Sequence, residues 1–292
     1  MACLIRVLVM SSPVISGPSA ALARLTRNHT LLAGVMIALF VLLPSFFGRL
    51  IYTRDPYYLH LGQQLQPPSW AFPLGTDSLG RDVLALLFDG GKATLIVALP
   101  AAAIAFVIGV LYGLAAAIGP AWVDRVLMRL LDTFLALPSL VVMIFFAALV
   151  TLNNITLVML IGFVAWPGLA RLVRNEAIAQ RGRDFVAAAE QLGAGRWYVA
   201  RVHLLRVMAP ILAVNGTFLI GDSIFALSAL SFLGLGVQPP QASWGSLLDS
   251  ALDIIALDPW WMIMAPGVMI FASLLASSLI GQGLNQKTGD RP

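Results

Sequence analysis

Long uncharged, apolar segments alternate with short polar ones along the chain after residue 24. Because a helix rises about 1.5 Å per residue and a bilayer core is about 30 Å thick, about twenty apolar residues can cross a membrane once. The uncharged segment Thr133–Ala170 would form a helix of about 57 Å, so we expect two spans there, joined at residues 153–154. The pattern predicts an all-α membrane protein, with a membrane domain of residues 24–286 and six transmembrane helices near residues 30–50, 93–118, 130–152, 154–173, 207–233 and 259–283.

Local features add detail to this pattern. Gly109 and Gly113 are four residues apart, which predicts close approach of a neighbouring helix. Arg129 lies three residues before Asp132, so the two are expected to form an ion pair near the membrane interface. The Trp-Pro-Gly sequence at 166–168 is expected to end the fourth span.

Composition agrees with a membrane protein and excludes several other classes. Hydrophobic residues make up 59% of the chain and charged residues only 11%, whereas a soluble domain has about 25% charged residues. The single cysteine, Cys3, cannot form an intramolecular disulfide bond. The sequence contains no zinc-site spacing, phosphate-binding glycine loop or catalytic triad. The net charge of +4 comes from polar segments between spans and implies no nucleic-acid partner.

Residues 1–23 precede the first span. Leu4–Met10 is apolar but short, and Ser, Pro and Gly follow it, so a weak signal peptide is one interpretation. A disordered cytoplasmic tail is the other, and we favour it.

Residues 174–206, here called the arginine-rich loop, carry six arginines, three acidic residues and a histidine between two apolar runs. Charge is costly at the bilayer centre, so this segment is expected to lie outside the hydrocarbon. Short loops rich in Lys and Arg are typical of the cytoplasmic side. We therefore predict a cytoplasmic loop, with both chain termini on the same side. The opposite side would then hold only four cations, Arg49, Arg54, Arg81 and Lys92.

The first half of the arginine-rich loop has an apolar stripe at helical spacing. Gly193 and Gly195 then interrupt the helix, and residues 197–203 can resume it. One interpretation is an amphipathic hairpin that lies on lipid headgroups. The other is a docking surface, because small alanine side chains let another protein approach closely. The stripe consists of Phe185, Ala188, Ala189 and Leu192.

Residues 75–82, here called the aspartate motif, lie in a polar segment, 49–92, that is predicted to be an external loop with little regular structure. Thr76 or Asp77 is expected to cap a helix that starts near Leu79. A loop and helix cap without a ligand role is one interpretation. Later in the chain, three tryptophans are expected to anchor the protein at the membrane interface. They are Trp244, Trp260 and Trp261.

Asp222 interrupts the fifth span, and an acidic residue inside the membrane is a functional candidate by default. The alternative is that a neighbouring Ser or Asn satisfies its carboxylate. The three histidines, His29, His60 and His203, are expected outside the membrane core, so the spans hold no cluster of catalytic residues. We therefore expect no catalytic site and no metal site.

The arginine-rich loop resembles the cytoplasmic loop of permease subunits of binding-protein-dependent ATP-binding-cassette importers. In that family a Glu-Ala-Ala-(three residues)-Gly signature forms the coupling helix, which sits in a groove of the ATPase subunit. Ala188, Ala189 and Gly193 match, whereas Ala187 occupies the glutamate position. We hypothesise that Glu190 or Asp184 replaces the missing acidic contact. The resemblance marks as coupling residues Arg183, Asp184, Phe185, Ala187, Ala188, Ala189, Glu190, Gly193 and His203.

Two further stretches resemble the dipeptide, oligopeptide and nickel permeases of this family. They are Phe72–Asp82 and Leu230–Pro240, the latter followed by Ser-Trp-Gly at 243–245. The first stretch implies a scaffolding role at the external face, or a contact with the binding protein. Its residues are Gly75, Thr76, Asp77, Gly80, Arg81 and Asp82.

The resemblance covers residues 24–284 and implies the second permease subunit of a peptide importer with the type I permease fold. The implied partners are a homologous permease, two ATPase subunits that bind ATP and Mg²⁺, and an extracytoplasmic substrate-binding protein. The implied location is the inner membrane of a prokaryote, and the chain itself would bind no cofactor. Import of nickel or heme is the alternative. A secondary transporter is less favoured, because such proteins have inverted repeats and none is apparent here. The residues expected to line the substrate cavity are Asn215, Asp222 and Ser223.

Overall fold

The computed structural model describes residues 28–289, except for the side chains of residues 185, 187, 188, 190 and 287–289. The predicted tail, residues 1–23, lies outside the described residues. Within them, the only extended pairing is an isolated bridge between Thr76 and Asp82, so the all-α prediction is confirmed. The helices are α1 (His29–Ile51), α2 (Val83–Ile118), α3 (Ala121–Leu135), α4 (Ser139–Leu149), α5 (Asn154–Ala165), α6 (Pro167–Arg181), α7 (Asp184–Gln191), α8 (Arg196–Tyr198), a π-helical turn (Val199–Leu204), α9 (Leu205–Phe232), α10 (Trp244–Leu252), a 3₁₀ turn (Ile255–Leu257) and α11 (Trp260–Gly289).

Four helical segments in the described residues are long and apolar enough to cross a membrane, or six if each of two bent pairs forms one span. The bent pairs are α3 with α4, at 81°, and α5 with α6, at 40°. The spans predicted near 130–152 and 154–173 are therefore not straight helices. Pro138 and Pro167 cause the breaks, because proline lacks an N–H and its ring clashes with the preceding turn. The helix end predicted at residues 166–168 is confirmed, because α5 ends at Ala165 with Trp166 as its C-cap. A second helix, α6, then continues at an angle to Arg181.

Helix α2 begins at Val83, well before the start predicted near residue 93. The buried side chain of Asp82 caps it, since Oδ1 accepts hydrogen bonds from the backbone N–H groups of Leu84 and Ala85 at 3.0 and 3.2 Å. The acidic and basic residues at 89 and 92 therefore lie on this helix and not in a loop. The cap explains the early start, because it satisfies the free N–H groups of the first turn.

The close helix contact predicted at Gly109 and Gly113 is confirmed. A Cβ atom at Gly113 would lie 2.5 Å from the carbonyl oxygen of Ala170, and one at Gly109 would lie 3.0 Å from Leu169. Both neighbours belong to α6, so only glycine allows α2 and α6 to pack this closely. At 36 residues, α2 is about 54 Å long, so the aspartate motif and the arginine-rich loop lie at opposite ends of it.

The largest apolar core joins the arginine-rich loop to the long helices. It contains Trp166 and Val173 from the α5–α6 region and Met208 from α9. Val186 of α7 and Val199 of the π-helical turn are part of the same core, each only 1% exposed. The loop is therefore packed on the helices that it connects.

Candidate functional site

The arginine-rich loop folds as its sequence predicts, into a helix, a glycine turn and a resumed helix. Helix α7 ends where the N–H of Ala194 donates to the carbonyl oxygen of Ala189 at 3.0 Å. Gly193 has a φ of +87°, which a side chain would disfavour. The chain then resumes with α8 and continues through the π-helical turn into α9.

One side of this loop is buried and the other is exposed. Val186, Val199 and Leu204 face the core and are at most 1% exposed. On the other side, Leu192 and Trp197 are 90% and 61% exposed. Exposed apolar side chains on a charged loop make it a candidate interaction surface. The exposed side also carries an open groove of about 720 Å³ lined by Ala189, Leu192, Gly193, Ala194, Gly195, Tyr198 and His203.

Three of the predicted coupling residues meet at this groove. Ala189, Gly193 and His203 line it, and the His203 ring lies 5.9 Å from the ring of Tyr198. Arg183 and Asp184 are exposed where α7 begins. The π-helical turn that carries His203 is a conformation found disproportionately at functional sites.

Two ion pairs hold α3 against α6, the helix that leads into the arginine-rich loop. Arg174 binds Asp124 with two nitrogens, Nε at 2.9 Å and Nη2 at 2.5 Å. Arg171 pairs with Asp132. The predicted pair between Arg129 and Asp132 is therefore wrong, because the bend after α3 brings α6 alongside it. The partners are far apart in sequence, so no local pattern could have identified them.

The side chains of the aspartate motif bind within the protein. Asp77 does not cap a helix; its Oδ1 accepts from the N–H groups of Leu79 and Arg81 at 2.9 and 2.8 Å, and its Oδ2 accepts from the Arg81 guanidinium at 2.6 Å. The hydroxyl of Thr76 donates to the carbonyl oxygen of Gln63 at 2.6 Å. These contacts support the scaffolding interpretation. The turns of the motif also use positive φ angles at Gly75 and Gly80.

Two of the three tryptophans predicted at the membrane interface are buried inside the protein. Trp244 is 0% exposed, and its indole N–H donates to the carbonyl oxygen of Leu87 at 3.1 Å. Trp261 is 7% exposed and donates to the carbonyl oxygen of Thr76 at 3.2 Å. Only Trp260, at 56% exposure, fits the prediction. Sequence position alone could not distinguish a tryptophan at the membrane interface from one that is buried in the protein.

A pair of tyrosines, which sequence reasoning missed, ties the segment after α1 to the start of α2. The Tyr52 hydroxyl donates to the carboxylate of Asp82, and the Tyr57 hydroxyl donates to Asp89. Burial, with the hydrogen bond to the carboxylate, raises the pKa of Tyr52 to about 12. The same causes raise the pKa of Tyr57 to about 12. Both tyrosines therefore stay protonated and donate at neutral pH.

The three candidate cavity residues on α9 occupy different surroundings. Asp222 is exposed, Asn215 is half-buried, and Ser223 is 0% exposed, so Ser223 lies inside this chain. The Asn215 amide donates to the carbonyl oxygen of Ile211 at 2.8 Å. No hydrogen bond from a described side chain reaches Asp222, so the alternative interpretation, in which a neighbouring Ser or Asn satisfies its carboxylate, is not supported. Among the described residues, no three His, Cys, Asp or Glu side chains are grouped to hold a metal ion.

These features, several apolar helices with a packed and partly exposed loop between them, define a multi-pass membrane protein. The chain belongs to the family of binding-protein-dependent transport system inner membrane components, whose sequence pattern matches residues 105–289. It is 37% identical over 265 residues to the di/tripeptide transport system permease protein of Pseudomonas aeruginosa, covering 88% of this chain and 87% of that one.

Two further relatives have related names. The dipeptide transport system permease protein of Bacillus subtilis is 33% identical over 272 residues, covering 93% of this chain and 85% of its own. The probable D,D-dipeptide transport system permease protein of Escherichia coli is 34% identical over 255 residues, covering 87% and 85%.

Proposed function

We propose that this chain is a permease subunit of an ATP-driven importer of short peptides. The names of the three relatives support a peptide substrate. In this proposal the chain pairs with a homologous permease, and a substrate-binding protein docks outside the membrane at the end that carries the aspartate motif. The chain has no catalytic site of its own, and ATP and Mg²⁺ bind to two ATPase subunits.

The observation that carries this proposal is the two-sided packing of the arginine-rich loop. Its inner side is part of the largest core, and its outer side exposes Leu192, Trp197 and the groove around His203. A partner that moves the exposed side must therefore also move the helices packed behind it. Closure of the ATPase subunits would then bias the permease between two packings of one helix set. This arrangement requires the loop and both chain termini to be cytoplasmic.

An acidic residue of α7 replaces the glutamate that the loop lacks at Ala187. Asp184 is exposed at the start of the helix, and Glu190 lies near its end. The double variant Asp184→Lys/Glu190→Lys should keep its fold but lose peptide-stimulated ATP hydrolysis in the assembled transporter. Asp249→Lys on α10 is the charge-matched control. Full stimulation in the double variant would refute this assignment of the contact.

Transport by the reconstituted complex tests the substrate class. The complex, reconstituted in vesicles with the binding protein outside, should accumulate radiolabelled dialanine. It should do so only when ATP is present in the vesicle lumen, which the ATPase subunits face. Uptake of Ni²⁺ or heme in place of the dipeptide would contradict the peptide assignment. Uptake by this chain alone would contradict the dependence on partner ATPases and favour a secondary transporter.

A further inference from the structure

Asp222 is the only charged residue of α9 beyond its first turn. It lies ten positions before Phe232, the last residue of the helix. The carboxylate therefore lies about 15 Å from that end along the helix axis, which is near the middle of a hydrocarbon core about 30 Å thick. Its side chain is exposed on the surface of this chain, and no described side chain forms a salt bridge or hydrogen bond with it.

The helix face around Asp222 combines aromatic rings with hydrogen-bond acceptors. Phe218 and Phe225, four residues before and three residues after it, are 38% and 55% exposed. Asn215, two turns away on the same face, has its amide N–H₂ directed to Ile211. Its side-chain oxygen accepts no hydrogen bond from the described residues. The face therefore offers oxygen acceptors and aromatic rings, which suit a cation with several N–H donors.

A carboxylate at this depth is costly against lipid, so it must face water or receive a cation from another molecule. The proposed substrate supplies one, because a peptide with a free amino terminus carries an α-ammonium group. We propose that Asp222 binds the amino-terminal ammonium of the peptide during its passage through the membrane, and that it selects for peptides with a free amino terminus. This inference rests on the proposed function.

The exposure of Asp222 suits transient binding. A single carboxylate in an open position can form a charge-assisted hydrogen bond with the ammonium group. It cannot enclose the peptide. Transport requires a site whose affinity is high enough for the peptide to bind and low enough for it to dissociate. The rings of Phe218 and Phe225 would add a weak attraction for the same cation.

The test uses the complete reconstituted transporter and uptake of radiolabelled dialanine at limiting concentration. Asp222→Asn should lower uptake about tenfold, the effect of losing one charge-assisted hydrogen bond, whereas Asp222→Glu should keep most of it. In a second variant, Cys3→Ser/Asp222→Cys, a water-soluble sulfonate reagent that restores negative charge should recover uptake. A reagent of similar size that adds a trimethylammonium group should not. Cys3→Ser with Asp222 retained is the control for cysteines of the other subunits.

Several results would overturn the inference. One is normal uptake by the Asp222→Asn variant. Another is a cysteine at position 222 that neither reagent modifies, since lack of modification would place position 222 against lipid or another subunit. A third is an Asp222→Asn complex that falls apart on size-exclusion chromatography, which would assign the carboxylate to a cation of a partner subunit. Protection of the cysteine by dialanine during turnover would support the inference. If the unaltered complex transported no dipeptide, the proposed function itself would fail.

Discussion

Asp82 connects the cap of α2 to the segment after α1, so its removal should destabilise the aspartate motif. Its side chain is fully buried, and one oxygen accepts from two backbone N–H groups of α2. The other oxygen accepts from the Tyr52 hydroxyl and, at 3.5 Å, from the Arg54 guanidinium, which is a weaker contact. Losing a helix cap costs about 1 kcal/mol, and losing a hydrogen bond to a charged group costs about 2 kcal/mol. Asp82→Ala should therefore lower the free energy of unfolding by about 3 kcal/mol.

Because the Tyr52 hydroxyl binds the same carboxylate, a double-mutant cycle separates the two contributions. Tyr52→Phe should cost about 2 kcal/mol in the unaltered chain and less than about 0.5 kcal/mol in the Asp82→Ala background. Thermal unfolding in detergent, followed by tryptophan fluorescence, measures each variant. Asp253→Ala, which removes an exposed acid, is the control and should leave the midpoint unchanged.

Additive effects of Asp82→Ala and Tyr52→Phe would refute this reasoning. Additivity would mean that the tyrosine hydroxyl and the carboxylate do not act through each other. An unchanged midpoint for Asp82→Ala would show that the cap contributes nothing, and the scaffolding role of the motif would have to be abandoned.

Three other predictions follow from contacts in the described residues. Tyr52 and Tyr57 have pKa values raised from the usual 10.0 to about 12. Their hydrogen bonds therefore stabilise the fold fully below pH 10, and this contribution is lost as the pH rises towards 12. Ultraviolet titration should detect two tyrosines that ionise late, and their absence would contradict the two tyrosine–carboxylate hydrogen bonds. Gly113→Val should prevent close packing of α2 on α6, because its Cβ would lie 2.5 Å from a backbone oxygen. Thermal unfolding should show a free energy of unfolding that is lower by at least about 2 kcal/mol. The Asp124→Asn and Arg174→Gln variants should each weaken ATPase coupling, and the charge-swapped pair should recover part of it; equal loss in all three would argue against a direct ion pair.

The sequence predicted the membrane class and the helical content because hydrophobic segments of about twenty residues depend only on local composition. It also predicted the helix, glycine turn and helix of the arginine-rich loop, since Gly193 and Gly195 interrupt a regular apolar stripe. The bend at Pro138 was missed, because an uncharged segment looks the same whether it is straight or broken. The helix end at residues 166–168 was predicted, but the continuation of the chain as α6 to Arg181 was not.

Contacts between distant segments were beyond reach of a single sequence. Asp132 has Arg129 nearby in sequence, but the bend after α3 brings Arg171 closer in space. Likewise, Thr76 or Asp77 was expected to cap the helix that begins in this segment, but Asp82 caps it. The arginine at 81 engages Asp77, which leaves Asp82 to start α2. Trp244 and Trp261 were expected to anchor the protein at the membrane interface, yet each is buried and donates to a backbone carbonyl within the protein.

Amide hydrogen exchange of the purified permease pair, with and without its ATPase subunits, tests most directly whether the arginine-rich loop is the docking surface. Residues 184–203 should exchange more slowly when the ATPase subunits are bound, while the aspartate motif should exchange at the same rate in both samples. Unchanged exchange across residues 184–203 in a complex that still hydrolyses ATP would contradict the account.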